Sequence, residues 1–260
     1  MNNVIPIVAL DVPTIGAAQK LVAQVGDHCD FYKVGLELFA AEGPSVVYWL
    51  RGEGKRVFLD LKLHDIPNTV QSAARAVARL GASLLTVHAS GGEAMIRAAV
   101  QGAREGSANG AQHPADGAQH PINGGGESAT QCGILGVTVL TSMNAASVGA
   151  AWGRSNVSVE QEVLRLAGLV RSAGALGVVC SGHELSSLKQ TYGRDVAALV
   201  PGIRLAGGDA HDQVRTMTPG AAAKAGADYL VIGRAVTGAA NPAEAMAAVW
   251  EELGARVETD

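Results

Sequence analysis

Val57-Phe58-Leu59-Asp60-Leu61-Lys62-Leu63-His64-Asp65-Ile66-Pro67-Asn68-Thr69 passes from an apolar run to a polar cluster and on to a helix start. Side chains two apart on a strand share a face, so Asp60 and Lys62 are expected to point one way and Leu61 and Leu63 the other. Pro67 suits the first position of a helix and holds Ile66 extended. Asp65 then falls on the connection between strand and helix. Two carboxylates and an amine so close together, where a strand feeds a helix, point to function; the plain alternative is a stray ion pair.

Outward from that stretch the same alternation repeats. Apolar runs at 5–11, 31–36, 57–63, 84–88, 134–141, 177–180, 197–203 and 229–233 read as strands. Nearly continuous apolar character suits a parallel sheet covered on both faces. Helical spacing lies between them: Val70, Ala73, Ala74 and Val77 fall at i, i+3, i+4 and i+7, as do Val163, Leu166, Ala167 and Val170. A last helix is expected over 242–253, with Asn241 as N-cap and Pro242 at its first position. Eight βα units in 260 residues predict an α/β fold, a single (β/α)8 TIM barrel forming one domain over 1–260. A doubly wound open sheet is the alternative. Val8-Ala9-Leu10-Asp11-Val12-Pro13 stands where that fold's dinucleotide-binding form would carry GxGxxG, which argues against it.

One segment departs from the pattern. Residues 105–131 are rich in Gly, Ala, Asn and Gln and repeat a pentapeptide, Gly110-Ala111-Gln112-His113-Pro114 and Gly117-Ala118-Gln119-His120-Pro121. Such a composition buries too little apolar surface to offset the entropy of ordering it. A flexible low-complexity insertion before the fifth strand is the expectation. His113 and His120 lack companion ligands, so no metal site is expected.

Composition narrows the function classes. Twenty Lys+Arg against 24 Asp+Glu leave a net charge of −4, the wrong sign for a strongly basic nucleic-acid binder. No apolar run approaches the roughly 18 residues of a membrane span. Met1-Asn2-Asn3-Val4-Ile5-Pro6 lacks the charged and apolar regions of a signal peptide. Cys29, Cys132 and Cys180 are scattered and form no CxxC pair. A cytoplasmic protein without nucleic-acid or membrane partners is expected.

Polar residues recur at strand ends, where barrel enzymes place their active sites. Asp11 ends the first strand, Lys33 sits on the second, Thr141 ends the fifth. The seventh ends in Pro201-Gly202-Ile203-Arg204, followed by a glycine-rich loop with Gln213, and the eighth in Ile232-Gly233-Arg234. Gly233 lets a ligand approach the backbone and Arg234 offers a planar fork for phosphate oxygens. The loops after strands seven and eight are a frequent phosphate site in barrels. A turn with a surface arginine is the plain alternative. Residues 206–213, with Gly207 and Gly208, are a candidate lid. His64 and His88 are read as supporting hydrogen-bonding groups and Cys180 as a small buried hydrophobe.

The run Asp60-Leu61-Lys62-Leu63-His64-Asp65-Ile66-Pro67-Asn68-Thr69 resembles the DxKxxDIPxT motif of the orotidine 5′-phosphate decarboxylase family. The order of Asp11, Tyr32-Lys33-Val34-Gly35, Val87-His88-Ala89, Thr138–Ser142, Pro201–Arg204 and Val231–Arg234 is similar to that family as well. The resemblance implies a dimeric barrel that converts orotidine 5′-monophosphate to uridine 5′-monophosphate and CO2 without a cofactor, in de novo pyrimidine biosynthesis. It implies Lys62 as proton donor, Asp60 beside the departing carboxylate, Lys33 completing the charged set, and Asp65 reaching the neighbouring subunit's site. It further implies that Asp11 binds ribose, that Thr69 and Thr141 contact the ligand, and that Arg204, Gln213, Gly233 and Arg234 hold the phosphate. The 105–131 segment is longer and richer in glycine than the family leads one to expect. Two other readings stand beside this one. A magnesium-dependent sugar-phosphate enzyme of the same fold would use Asp60 and Asp65 near a metal. A non-catalytic nucleotide binder would keep the phosphate end and lose the charged set.

Overall fold

The computed structural model describes residues 4–110, 131–205 and 217–254. Eight strands, β1 (Ile5–Leu10), β2 (Phe31–Val34), β3 (Arg56–Leu63), β4 (Leu84–His88), β5 (Gly133–Val137), β6 (Gly177–Val179), β7 (Ala197–Val200) and β8 (Tyr229–Ile232), pair in chain order and close into a barrel. Every neighbouring pair is parallel, and β8 returns to β1 with Ile5 opposite Tyr229 and Val8 opposite Ile232. Closure removes the open-sheet alternative.

Period-two alternation divides the apolar residues between two cores. Ile7, Ala9, Phe31, Phe58, Leu84, Leu135, Leu199, Tyr229 and Val231 fill the barrel interior. Their strand neighbours, among them Val8, Leu10, Tyr32, Val34, Leu59, Leu85 and Val87, face outward into the larger core under the helices. The interior is thus plugged by side chains up to the level where Asp60 and its companions begin, as the fold requires.

The described helices are α1 (Ile15–Val25), α2 (Leu36–Glu42), α3 (Ser45–Gly52), α4 (Pro67–Arg79), α5 (Glu93–Gly110), α6 (Ala145–Trp152), α7 (Val159–Ser172), α8 (Leu185–Tyr192), α9 (Pro219–Ala225), α10 (Arg234–Thr237) and α11 (Pro242–Glu252). Their starts follow capping chemistry. Thr14, Asn144, Ser158, Thr218 and Asn241 each accept a backbone N–H of the first turn, and Pro67, Pro219 and Pro242 open their helices. The buried stripe on α7 is the one the spacing predicts, Val163, Leu166, Ala167 and Val170; on α4 Val70, Ala74 and Val77 are buried as expected, while Ala73 is only half-buried and Ala78 joins the stripe.

Two expectations are corrected. Several strands stop short of their apolar runs: β2 ends at Val34, β5 at Val137 and β7 at Val200. Leu36 instead opens α2, and Thr141 lies in a turn beyond β5. Past β5 and β7 the residues line the mouth of the barrel. The second correction concerns the start of the insertion. Residues 105–110 are the last turns of α5, not part of a loop. Glu105 bonds Arg75 and Gln71 on α4, and Gly102 and Gly106 let the two helices meet. A Cβ at either glycine would run into the backbone carbonyl of Gln71 or Arg75. Here glycine signals close helix packing, whereas composition alone reads it as disorder. The rest of the expected insertion, 111–130, lies outside the described residues, as does the candidate lid at 206–213. Among the described residues no helix is long and apolar enough to cross a membrane.

Candidate active site

The polar cluster sits where β3 leaves its regular ladder. Phe58 pairs with Leu84 and Leu59 with Leu85, but the next pair is Leu63 with Val87. Residues 60–62 therefore stand opposite Thr86 alone, and Lys62 adopts φ 50°, a left-handed conformation uncommon outside glycine. Thr86 stabilises this bulge. Its hydroxyl accepts the Lys62 backbone N–H at 2.9 Å and donates to Asp60 Oδ1 at 2.9 Å. Leu61 and Leu63 pack against the outer core, as parity predicts, while Asp60 and Lys62 both line the mouth.

Four charged groups run across the mouth in alternating sign. Lys33 Nζ lies 2.7 Å from Asp11 Oδ1 and 3.8 Å from Asp60 Oδ2. Lys62 Nζ lies 2.8 Å from that same Asp60 oxygen. Asp60 thus faces two ammonium groups with one oxygen and Thr86 with the other. The two inner members are the least exposed, Lys33 at 9% and Asp60 at 15%, against 62% for Asp11 and 30% for Lys62. The inner members meet in partly desolvated surroundings, where opposite charges interact more strongly than in water.

These groups form one wall of a cavity of about 310 Å³. Val137, Val139, Leu140 and Val179 supply apolar surface, and Thr141 adds a hydroxyl. Opposite lie Pro201, Gly202, Arg204, Gly233 and Arg234 from the ends of β7 and β8. Arg204 is buried, donates to the Ile203 carbonyl, and its Nε has no hydrogen-bond partner among the described residues. Burial, and then the positive charge of Arg234, push the Arg204 guanidinium below its ordinary pKa. An anion at this end would relieve both effects.

The structure therefore brings together Asp11, Lys33, Asp60, Lys62, Thr141, Arg204, Gly233 and Arg234. It leaves two candidates outside the cavity. Asp65 and Thr69 belong to the exposed run 64–69, and Asp65 accepts the Ile66 N–H at 2.6 Å. Gln213 lies outside the described residues. His64 and His88 stand with ring centres 5.5 Å apart. Burial, and then the neighbouring His64 and Lys62, lower the His88 pKa. Cys180 lines the cavity, yet burial pushes its thiol up to about 12, which fits an inert packing residue. Among the described residues no group of three His, Cys, Asp or Glu side chains is placed to hold a metal ion. Thr86 was not singled out by sequence reasoning. The available signal was strand parity, which puts position 86 on the same inner face as Leu84 and His88.

A closed barrel with a charged row and two arginines at the C-terminal ends of its strands has the layout of a barrel enzyme with its site at that mouth. Comparison with known proteins narrows the class. The Orotidine 5′-phosphate decarboxylase / HUMPS family matches residues 5–249. The chain is 44% identical to the orotidine 5′-phosphate decarboxylase of Moorella thermoacetica over 247 residues, covering 95% of this chain and 91% of the relative. It is 45% identical to that of Anaeromyxobacter dehalogenans over 241 residues, covering 93% and 94%. Among solved structures, the orotidine 5′-phosphate decarboxylase of Lactobacillus acidophilus superposes with a TM-score of 0.79 at 35% identity, covering 97% of this chain and all of the other. The chain belongs to the orotidine 5′-phosphate decarboxylase / HUMPS family and is an enzyme of the carboxy-lyase class.

Proposed function

We propose that the protein decarboxylates orotidine 5′-monophosphate to uridine 5′-monophosphate in de novo pyrimidine biosynthesis, without a cofactor. The observation that carries this reading is the cavity's polarity. A row of paired charges ending on Lys62 occupies one side, and Arg204 and Arg234 from the ends of β7 and β8 occupy the other. A nucleotide with its carboxylated ring towards Lys62 and its phosphate towards Arg204 and Arg234 matches both. Gln213 joins the phosphate contacts, Gly233 admits the phosphate to the backbone, Asp11 binds ribose hydroxyls, and Thr141 contacts the ligand.

The chemistry follows from the charges. The bond between C6 and the carboxylate breaks, CO2 leaves, and the electron pair stays on C6 in an sp2 orbital that the ring π system does not delocalise. Lys62, held by Asp60, places an ammonium beside that carbon, stabilises the charge and then donates its proton. Water later returns a proton to the amine. Fixed charge in a partly dry site needs little reorganisation as the reaction proceeds. Asp60 aims the Lys62 ammonium, and Lys33 braces the same carboxylate oxygen from its other side. Phosphate contacts far from C6 supply binding energy that positions the ring.

The active form in this reading is a homodimer. Asp65 and Thr69 lie exposed on the mouth side beside Ile66, an apolar side chain left 67% exposed. A second copy covering that run would bring Asp65 into the neighbouring site. A spectrophotometric assay with orotidine 5′-monophosphate in excess EDTA tests the reaction. Full turnover is expected; activity lost in EDTA and restored by magnesium would favour the metal-dependent sugar-phosphate reading.

A further inference from the structure

We infer that Thr86 is a positioning residue for the Asp60–Lys62 pair, which rests on the reading of Lys62 as the proton donor. Thr86 belongs to β4, is fully buried, and faces the barrel interior directly above Leu84. A hydroxyl at such a place costs free energy unless both its donor and acceptor capacities are used. Both are used on the reacting cluster. The proton goes to Asp60 Oδ1 and a lone pair takes the Lys62 backbone N–H.

Each contact does something the ladder cannot. Because residues 60–62 bulge opposite position 86, the Lys62 N–H has no place in regular β3–β4 pairing. The Thr86 oxygen holds it, and with it the left-handed φ of 50° at Lys62. Residues kept in sparsely populated conformations persist where their surroundings over-determine them. The second contact sets the Asp60 carboxylate. With Oδ1 engaged by Thr86, Oδ2 is directed at the ammonium groups of Lys62, 2.8 Å away, and Lys33, 3.8 Å away. One hydroxyl thus orients both the acid that fixes the ammonium and the backbone from which that ammonium extends. Thr86 need not touch substrate to do this, because it acts through Asp60 and Lys62.

The test compares Thr86→Val, nearly isosteric but without the hydroxyl, with Thr86→Ser, which keeps it. Two quantities are measured on the full chain: kcat for orotidine 5′-monophosphate and the Kd of uridine 5′-monophosphate. The product lacks the carboxylate and reports the ribose and phosphate contacts. Thr86→Val is expected to lower kcat about 30-fold, ~2 kcal/mol, the scale of a hydrogen bond to a charged group. Its product affinity should stay within about 3-fold of the original, and Thr86→Ser should keep kcat within about 3-fold. Should Thr86→Val fail to fold, Thr86→Ala carries the same split. A hydroxyl-free variant that keeps its kcat overturns the inference. So does a parallel loss of kcat and product affinity, or an equal loss in Thr86→Ser. If the unaltered protein does not turn over the substrate, the decarboxylase reading itself fails; normal turnover with an unaffected Thr86→Val removes only the role of Thr86.

Discussion

On the β1–β3 side of the mouth, Lys33 and Lys62 each lie within 2.8 Å of a carboxylate, whereas on the β7–β8 side Arg204 and Arg234 press on one another and Arg204 Nε is unpartnered among the described residues. The first region is internally neutralised: two aspartates answer two lysines before any ligand arrives. The second sets two guanidinium groups near enough to oppose one another's charge, an effect that an incoming anion would relieve. In the proposed reading, binding energy belongs to the arginine side and chemistry to the lysine side. The separation lets a phosphate hold the ligand without disturbing the geometry around Lys62.

Removing the shared carboxylate should damage the lysine side most. Asp60→Ala leaves two ammonium groups facing each other without their bridge, and kcat is expected to fall by about 10³. Steady-state kinetics on the purified variant checks this; a fall below 10-fold would mean that the row of charges is incidental. The arginine side should fail differently. Arg234→Ala is expected to raise KM about 100-fold with a much smaller change in kcat. A loss confined to kcat would erase the contrast between the two ends.

The dimer prediction sharpens the same comparison, because Asp65 is the one proposed member of the lysine side that a single chain leaves outside the cavity. Mixing inactive Lys62→Ala and Asp65→Ala proteins under conditions of subunit exchange should restore about a quarter of the original activity. Half the dimers are mixed, and one site in each regains both residues. No recovery despite exchange, followed by native mass spectrometry, would place Asp65 outside the active site. The smallest effect concerns the cavity's thiol. Burial pushes Cys180 and Cys132 up to about 12 and Cys29 to about 11. Iodoacetamide at pH 8 should therefore label the native protein at least about 100-fold more slowly than the urea-unfolded chain. Rapid labelling of Cys180 alone, seen by peptide mapping, would show the mouth to be wetter than described.

Much of this arrangement was legible in residue order. Eight apolar runs separated by helical spacing are the barrel, since each buried strand must lie between an inner and an outer core. The pairing of Asp60 with Lys62 also follows from pattern. The backbone route to it does not: parity assumes a regular strand, whereas a bulge and a left-handed Lys62 put the amine in place. Long-range partners escape pattern for a related reason. Thr86 reads as an ordinary strand residue until the register against β3 is known. The strand ends were overshot because Val139, Leu140 and Ile203 continue the apolar character into loops, where they wall the cavity or pack beneath it. Gly102 and Gly106 look like the edge of a disordered tract, yet they record the approach of α4 to α5.

The most direct test of the central claim is Lys62→Ala measured in two ways on one preparation: conversion of orotidine 5′-monophosphate in a single turnover and binding of uridine 5′-monophosphate by calorimetry. The account predicts that conversion disappears while the product still binds through Arg204 and Arg234. Conversion near the original rate would contradict it, because the Lys62 ammonium would then not be needed beside C6.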